Sequence, residues 1–327
     1  MDDAERQLIA GIARRFYFED MSKTELAKAY GLSRFKIARL LEEARLEGIV
    51  KIEIAENGWE RPELSAELAD HLRLQECIVV RAGETEEANR ARLARAAADF
   101  IRRQVHEGDV IGFSWGRTLV AIGEALQDLP PSMIVQLTGT VGNDFAQSPV
   151  EVIRRIADRS SVRTMAIFSP LFATSGTAAR SLREDPAISD AMALYSRLDL
   201  AVLSVGSWDP PVTQLAAILP ERDRAELDAE HTKAEMAGIF VREDGSLVDA
   251  EVTTRRISIS PEQLTSTPRV LAVAGSSPKL GAIAAVARSG LITSLITDDL
   301  TASELKRLPP VRRQVLPRRN AVPATRP

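Results

Sequence analysis

Along the first fifty residues, apolar positions recur three and four apart, and from about Cys77 this gives way to short unbroken apolar runs separated by helical stretches. The first pattern predicts helices through RQLIAGIARRFYFED, SKTELAKAY and SRFKIARLLEEARLEG, ending in an extended KIEI segment. NGWERPE, marked by Gly58 and Pro62, then breaks the pattern before an amphipathic helix near Leu64–Leu72. Beyond it CIVVRA, DVIGFS, MIVQLTG, RTMAIFS, LAVLSVG, RVLAVAG and LITSLITD read as strands alternating with helices, which predicts a parallel sheet covered on its faces. GIFVREDGSLVDAEV reads as a hairpin turning at Asp244-Gly245. The fold class expected is therefore α/β: an N-terminal winged helix-turn-helix over 1–56, then a larger parallel-sheet effector-binding and oligomerisation domain over 57–308. Residues 309–327, rich in proline and arginine, lack apolar periodicity and are expected to form a flexible basic tail.

Composition narrows the class without changing that outline. A chain of 327 residues suits a small module plus one sizeable domain, and no apolar run is long enough to span a bilayer. No basic, apolar and small-residue series opens the chain, so no export signal is seen and a cytoplasmic location with no membrane partner is expected. The single cysteine, Cys77, lies in an apolar run and reads as core. His71, His106 and His231 are isolated, which gives no metal-ligand spacing and no expected cofactor.

The net charge of −4 is unevenly spread. Between Ser22 and Leu41, Lys23, Lys28, Arg34, Lys36 and Arg39 stand against Glu25 alone, whereas the long middle of the chain is acidic. An acidic body would be repelled by nucleic acid, so the basic patch and the body have different tasks.

The patch coincides with the sharpest local motif. Ser22 and Glu25 have capping-box spacing, so a helix should begin there. Leu26, Ala27 and Tyr30 form its inner face. Gly31 can adopt the left-handed conformation that a short turn needs, Leu32 fills the corner, and Ser33 caps the next helix. In that helix Ile37, Leu40 and Leu41 face inward, leaving Arg34, Phe35, Lys36 and Arg39 outward. Such a face suits the major groove of double-stranded operator DNA: Arg34 or Arg39 has the geometry to read guanine, and Lys23, Lys28 and Lys36 suit phosphates. The DNA-contacting set expected is Lys23, Ser33, Arg34, Phe35, Lys36 and Arg39. Gly48 should end the helix, and Ile49–Ile54 alternates like a short wing strand.

Ligands of open parallel sheets collect at the carboxyl ends of strands, where helix N-termini attract anions. After DVIGF come Ser114, Gly116, Arg117 and Thr118, opening a helix. After MIVQL a second glycine-rich loop holds Thr140 and Gly142. Lys279 stands near a helix start, against the helix dipole, where a bound phosphate would supply its counter-charge. Asp244 offers an acceptor for sugar hydroxyls, although Asp-Gly is also a common turn. These residues are the candidate effector site for a small phosphorylated sugar or polyol; no catalytic residue is assigned.

The chain resembles the SorC family of sugar-responsive transcriptional regulators from about Leu8 to Leu308. The residues that carry the resemblance are GLSRFKIARLLEEARLEGIVKIEI at 31–54, GFSWGRTL at 112–119, VQLTGTVG at 135–142, LAVLSVGSW at 200–208, GIFVREDGSLV at 238–248 and VAGSSPKLGAIAAVARSGLITSLITDDLTASEL at 273–305. The resemblance implies an effector domain similar to ribose-phosphate isomerases and glucosamine-phosphate deaminases, a homotetramer, and DNA binding modulated by a sugar phosphate. It also implies phosphate contacts at Gly116, Arg117 and Thr118, further contacts around Thr140 and Gly142, a basic contact at Lys279 and a hydroxyl contact near Asp244. Lys36 and Ala38 depart from the small hydroxyl residues common in the family, which points to a different operator. Two other readings stand beside this one. An isomerase- or deaminase-like enzyme with an accessory DNA-binding domain would have a similar pocket, and an architectural DNA binder would ignore small molecules.

Overall fold

The computed structural model describes residues 3–19, 21–50, 59–142 and 144–312. The chain divides into two compact units, Met1–Asn57 and Gly58–Pro327.

The first unit consists of α1 (Asp3–Phe18), α2 (Lys23–Tyr30) and α3 (Arg34–Leu46). Ile9, Ile12 and Ala13 of α1 meet Leu26 of α2 and Ile37, Leu40, Leu41 and Ala44 of α3 in a shared core. This is the inner stripe that three- and four-residue spacing generates. Helix α3 stops at Leu46, and Gly48 takes φ 68°. The amide of Val50 then returns to the Ala44 carbonyl at 2.8 Å. The expected wing strand, from Lys51 onward, lies outside the described residues.

The second unit begins with α4 (Pro62–Leu72) and continues as β1 (Glu76–Val80), α5 (Glu86–Gln104), β2 (Val110–Phe113), α6 (Arg117–Ala125), β3 (Met133–Gln136), α7 (Pro149–Ala157) and β4 (Arg163–Met165). Helices α8 (Gly176–Glu184) and α9 (Pro186–Ala193) lead to β5 (Leu200–Ser204) and β6 (Gly206–Ser207). Next come α10 (Leu215–Ile218), α11 (Glu221–Ala229), β7 (Thr232–Met236), β8 (Ile239–Arg242), α12 (Glu251–Thr254) and α13 (Pro261–Ser266). The chain closes with β9 (Arg269–Val273), α14 (Leu280–Ser289), β10 (Ser294–Asp298) and α15 (Asp299–Leu305).

Seven strands form one parallel sheet in the order β1-β10-β9-β5-β2-β3-β4. Its apolar runs are continuous because both faces are covered. Ile78, Ile111, Phe113, Val202, Leu271 and Ile296 pack on one side with α5, α6 and α7. Their neighbours Cys77, Val79, Val110, Ala201, Leu203, Ala272 and Leu295 pack on the other with α4, α9 and α14. Cys77 is thus core, and burial pushes its thiol up to about 12. After β2 the chain moves outward to β3 and β4, and after β5 it moves the opposite way to β9 and β10. The reversal lies between adjacent β2 and β5, where a crevice is expected at the carboxyl ends.

A second, antiparallel sheet runs β6-β7-β8. Here the structure bears out one expectation and extends another. Strand β8 reverses at both ends: it pairs with β7 across a turn at Ala237 and Gly238, at φ 53° and 74°, and beyond Arg242 the chain turns back at Asp244-Gly245 as expected. In this second hairpin Arg242 N–H reaches Ser246 O at 2.9 Å, Val248 N–H reaches Phe240 O at 2.9 Å and Val241 bridges Leu247. The domain also runs past residue 308, because Val311 is buried and its N–H bonds the His71 carbonyl at 3.0 Å.

Candidate functional site

In the first unit, local chemistry fixes the geometry of α2 and α3. Ser22 Oγ accepts from Glu25 N–H at 3.3 Å, and Glu25 Oε2 accepts from Ser22 N–H at 2.8 Å. These bonds hold the Glu25 carboxyl below its ordinary range. Gly31 sits at φ 63°, ψ 29°, and Ser33 Oγ accepts from Lys36 N–H at 3.1 Å to start α3. With Ile37, Leu40 and Leu41 turned inward, Ser33, Arg34, Phe35 and Arg39 are left exposed. Lys23 and Lys36 are half-buried, and the Lys23 ammonium lies 5.9 Å from the centre of the Phe16 ring. Lys23 is therefore held nearer the helical body than a freely solvated lysine would be.

In the second unit a cleft of about 520 Å³ opens at the carboxyl edge of the parallel sheet. Helices α5 and α6 begin at its wall, and α14 does so through the turn Ser277–Lys279. Gly116 caps α6 at φ 133° with no side-chain cap, leaving the first N–H groups of the helix to the cleft. A Cβ on Gly116 would lie 2.8 Å from Ser204 Oγ, which is how closely the β2 and β5 loops approach.

Gly116, Arg117, Thr118 and Lys279 line this cleft together. Lys279 Nζ donates to Val205 O at 2.9 Å, and burial lowers its pKa while Glu235 pulls it back up. Arg117 lies 3.4 Å from Glu86, which also pairs with Arg90 at 2.6 Å. Ser114 sits beneath the lining, buried, with its hydroxyl unpartnered.

The other expected ligand contacts fall elsewhere. Thr140 and Gly142 do not line the cleft, and Gly139 and Thr140 spend their donors on neighbouring backbone. Gly139 N–H bonds Ile257 O at 2.8 Å, while the Thr140 N–H and hydroxyl bond Ser169 O at 2.8 and 3.1 Å. Its Gly139 serves packing, since a Cβ would meet Pro170 O at 2.4 Å. Asp244 is exposed on a separate hollow shared with Trp208 and Arg242, and its Oδ1 accepts the Ser246 N–H at 2.8 Å and hydroxyl at 2.6 Å.

Sequence reading missed the acidic and amide side of the cleft. Glu235 of β7 is buried there; its Oε1 accepts from Thr213 at 2.7 Å and its Oε2 has no partner. Burial raises its pKa, against the pull of Thr213, the Gly238 backbone and Lys279. With Thr232 and Lys233 polar beside it in TKAEM, the sequence held no signal that set this glutamate apart. Asp298, at the end of β10, caps α15 through Thr301 N–H at 2.8 Å and also receives Asn89 Nδ2 at 3.1 Å. Gly275 leaves room for it, since a Cβ there would lie 2.2 Å from Asp298 Oδ2.

The carboxylates of Asp223, Glu226 and Glu251 also gather, with ligand atoms within 4.8 Å. Arg255 supplies the counter-charge there, at 2.7 Å from Asp223 and 3.8 Å from Glu251. Among the described residues no helix is long and apolar enough to cross a membrane.

The Sugar-bind family model, a sugar-binding domain, matches residues 59–306. The chain is 30% identical over 310 residues to the erythritol catabolism regulatory protein EryD of Brucella abortus, across 93% of this chain and 98% of that protein. It is 26% identical over 324 residues to the sorbitol operon regulator of Klebsiella pneumoniae, across 91% and 97%. The crystal structure of full-length SorC from Klebsiella pneumoniae has the same fold, with a TM-score of 0.73 over 94% of this chain and 99% of that one at 24% identity. The chain is accordingly a transcriptional regulator of carbohydrate metabolism and not an enzyme, and it belongs to the SorC family of sugar-responsive regulators.

Proposed function

We propose that the outward face of α3 grips double-stranded operator DNA and that the cleft of the second unit binds a small phosphorylated sugar or polyol that changes DNA affinity. The observation that carries the effector half is the meeting of the uncapped α6 N-terminus with Arg117 and Lys279 in one cleft. Backbone N–H groups at a helix start and two cations suit a phosphate. Glu235, a lining residue of the cleft, adds a carboxyl group suited to hydroxyl groups. A ligand with an anionic group and several hydroxyls satisfies both ends.

On this reading Gly116, Arg117, Thr118 and Lys279 hold the phosphate, and Glu235 and Thr213 select the hydroxylated portion. Coupling to DNA follows linkage: the ligand favours the arrangement of the regulator that it binds better, and DNA affinity changes in proportion. Helix α5 is the element suited to carry that change within the second unit. Its Glu86, Asn89 and Arg90 line the cleft, while its Arg92 and Arg95 guanidinium carbons lie 5.4 and 5.0 Å from the centre of the Trp59 ring, at the start of the unit. Arg92 also donates to Ala82 O at 2.7 Å, tying the cleft loop to the same clamp. A symmetric oligomer, a tetramer in this proposal, would pair recognition helices on a palindromic site.

The test is a panel of phosphorylated sugars and polyols, with their unphosphorylated counterparts, screened by thermal melting and then by DNA binding. A ligand bound only by the folded state must raise the melting temperature. Stabilisation by a phosphorylated compound, with a matching change in promoter affinity, is expected. A panel without effect, or stabilisation only by unphosphorylated polyols, would remove the phosphate from the proposal.

A further inference from the structure

Phe35 is 90% exposed, although phenylalanine is a large apolar side chain that folding ordinarily hides. It occupies the second position of α3, directly after Arg34 and before Lys36, with Arg39 one turn further on. The opposite side of the helix packs through Ile37, Leu40 and Leu41, so Phe35 cannot rotate into the core without breaking the stripe that holds α3 in place. Among the described residues of this unit three other large apolar side chains are exposed: Leu8, at 40%, within α1, and Phe18 and Leu46 at the far ends of α1 and α3. Leu46 is about 16 Å along the axis from Phe35. Within four residues on either side, Phe35 alone of the four has cations and no acid, and that setting selects the partner: Arg34, Lys36 and Arg39 would repel one another against a purely apolar surface, whereas a polyanion neutralises all three.

Resting on the reading of α3 as the groove-facing helix, we propose that Phe35 is a specificity-determining residue that reads a thymine in the operator by apolar contact with its C5 methyl group. Of the four bases in the major groove, thymine alone presents a methyl group, and an aromatic side chain has no hydrogen bond with which to read the others. Phe35 stands at the end of α3 that enters the groove first, capped by Ser33 and flanked by a guanidinium suited to guanine. The operator half-site should therefore hold a thymine close to the base read by Arg34. An apolar side chain held in water by the fold becomes buried when DNA is bound.

The test uses the full-length protein and a duplex selected by it from a random pool. Each thymine is replaced singly by deoxyuridine, which removes only the methyl group. For the wild type, one thymine per half-site should lower affinity about fourfold on replacement, the value of one buried methyl-sized group. Phe35→Ala should bind more weakly and be indifferent to the replacement, and Phe35→Leu should keep part of the discrimination. The melting temperature of Phe35→Ala should be unchanged, because the side chain packs against nothing in the fold. Wild-type indifference to deoxyuridine at every position would overturn the proposal while leaving DNA binding by α3 in place. A Phe35→Ala variant that sediments as a smaller species and weakens equally on both duplexes would also overturn it, making Phe35 a subunit contact. If the wild type selects no sequence, the reading of α3 itself falls, and this inference with it.

Discussion

Thr213 donates its hydroxyl to Glu235 Oε1 across 2.7 Å, in a buried corner where Glu235 Oε2 is left without a partner. The pairing orients a carboxylate toward the cleft but does not fully compensate its desolvation, and burial holds its pKa above the ordinary range. A carboxyl with a raised folded-state pKa contributes most to stability below its unfolded value, and that contribution is lost as pH rises through the raised one. Glu235→Gln should match the wild type in acid and become relatively more stable toward neutral pH, by no more than about 1.4 kcal/mol per pH unit. The check is a series of thermal melts across pH without ligand. Parallel curves for the two proteins would show that Glu235 titrates as it does in the unfolded chain.

Lys279 faces the same cleft, and its Nζ bonds a backbone carbonyl without exhausting its three donors. Lys279→Met keeps most of the side-chain volume and removes the charge. The variant should lose stabilisation by a phosphorylated ligand, which for the wild type amounts to about 2.7 kcal/mol at a hundredfold excess over Kd. Promoter binding without ligand should be retained. An undiminished ligand response would take Lys279 out of the site.

Gly116 holds a backbone angle that side chains disfavour, and the missing Cβ is what lets the β2 loop reach Ser204. Gly116→Ala should cost roughly 1–3 kcal/mol of stability. It should also abolish the ligand-induced shift by displacing the first N–H groups of α6. Chemical denaturation gives the first quantity, and melting with ligand gives the second.

Trp59→Ala removes the ring on which Arg92 and Arg95 lie while leaving the cleft residues of α5 in place. Ligand-induced stabilisation should survive, and so should promoter binding. What should shrink is the factor by which ligand changes promoter affinity, a coupling commonly worth about 1–3 kcal/mol. If that factor is unaltered, α5 does not carry the signal by this route.

Asp223 and Arg255 form a nearly buried ion pair at 2.7 Å. Asp223→Ala leaves the buried Arg255 guanidinium with only the longer contact to Glu251 and should cost up to about 3–5 kcal/mol. The double replacement Asp223→Leu with Arg255→Met should cost much less than the sum of the two single changes, as denaturant titrations of all the variants would reveal.

Local rules were legible in the sequence wherever they acted within a few residues. The Ser22–Glu25 cap, the turn at Gly31, the inward stripe of α3 and the alternation of strand and helix all follow from spacing, because neighbours in sequence are neighbours on a helix face or strand. Gly116, Arg117, Thr118 and Lys279 could be picked out for the same reason, each marking where a strand hands over to a helix. Only tertiary structure could choose between similar loops: the one after β2 opens on a cleft, whereas the one after β3 spends its donors on Ile257 and Ser169. It also set Asp244 apart from that cleft and brought in Glu235, because strand order and the β7–β8 turn decide which distant segments meet. A hydrogen-bonding group has no fixed meaning until its competitors for a partner are placed, and those competitors here come from other elements, Ser169 lying 29 residues from Thr140 and Ile257 much further on.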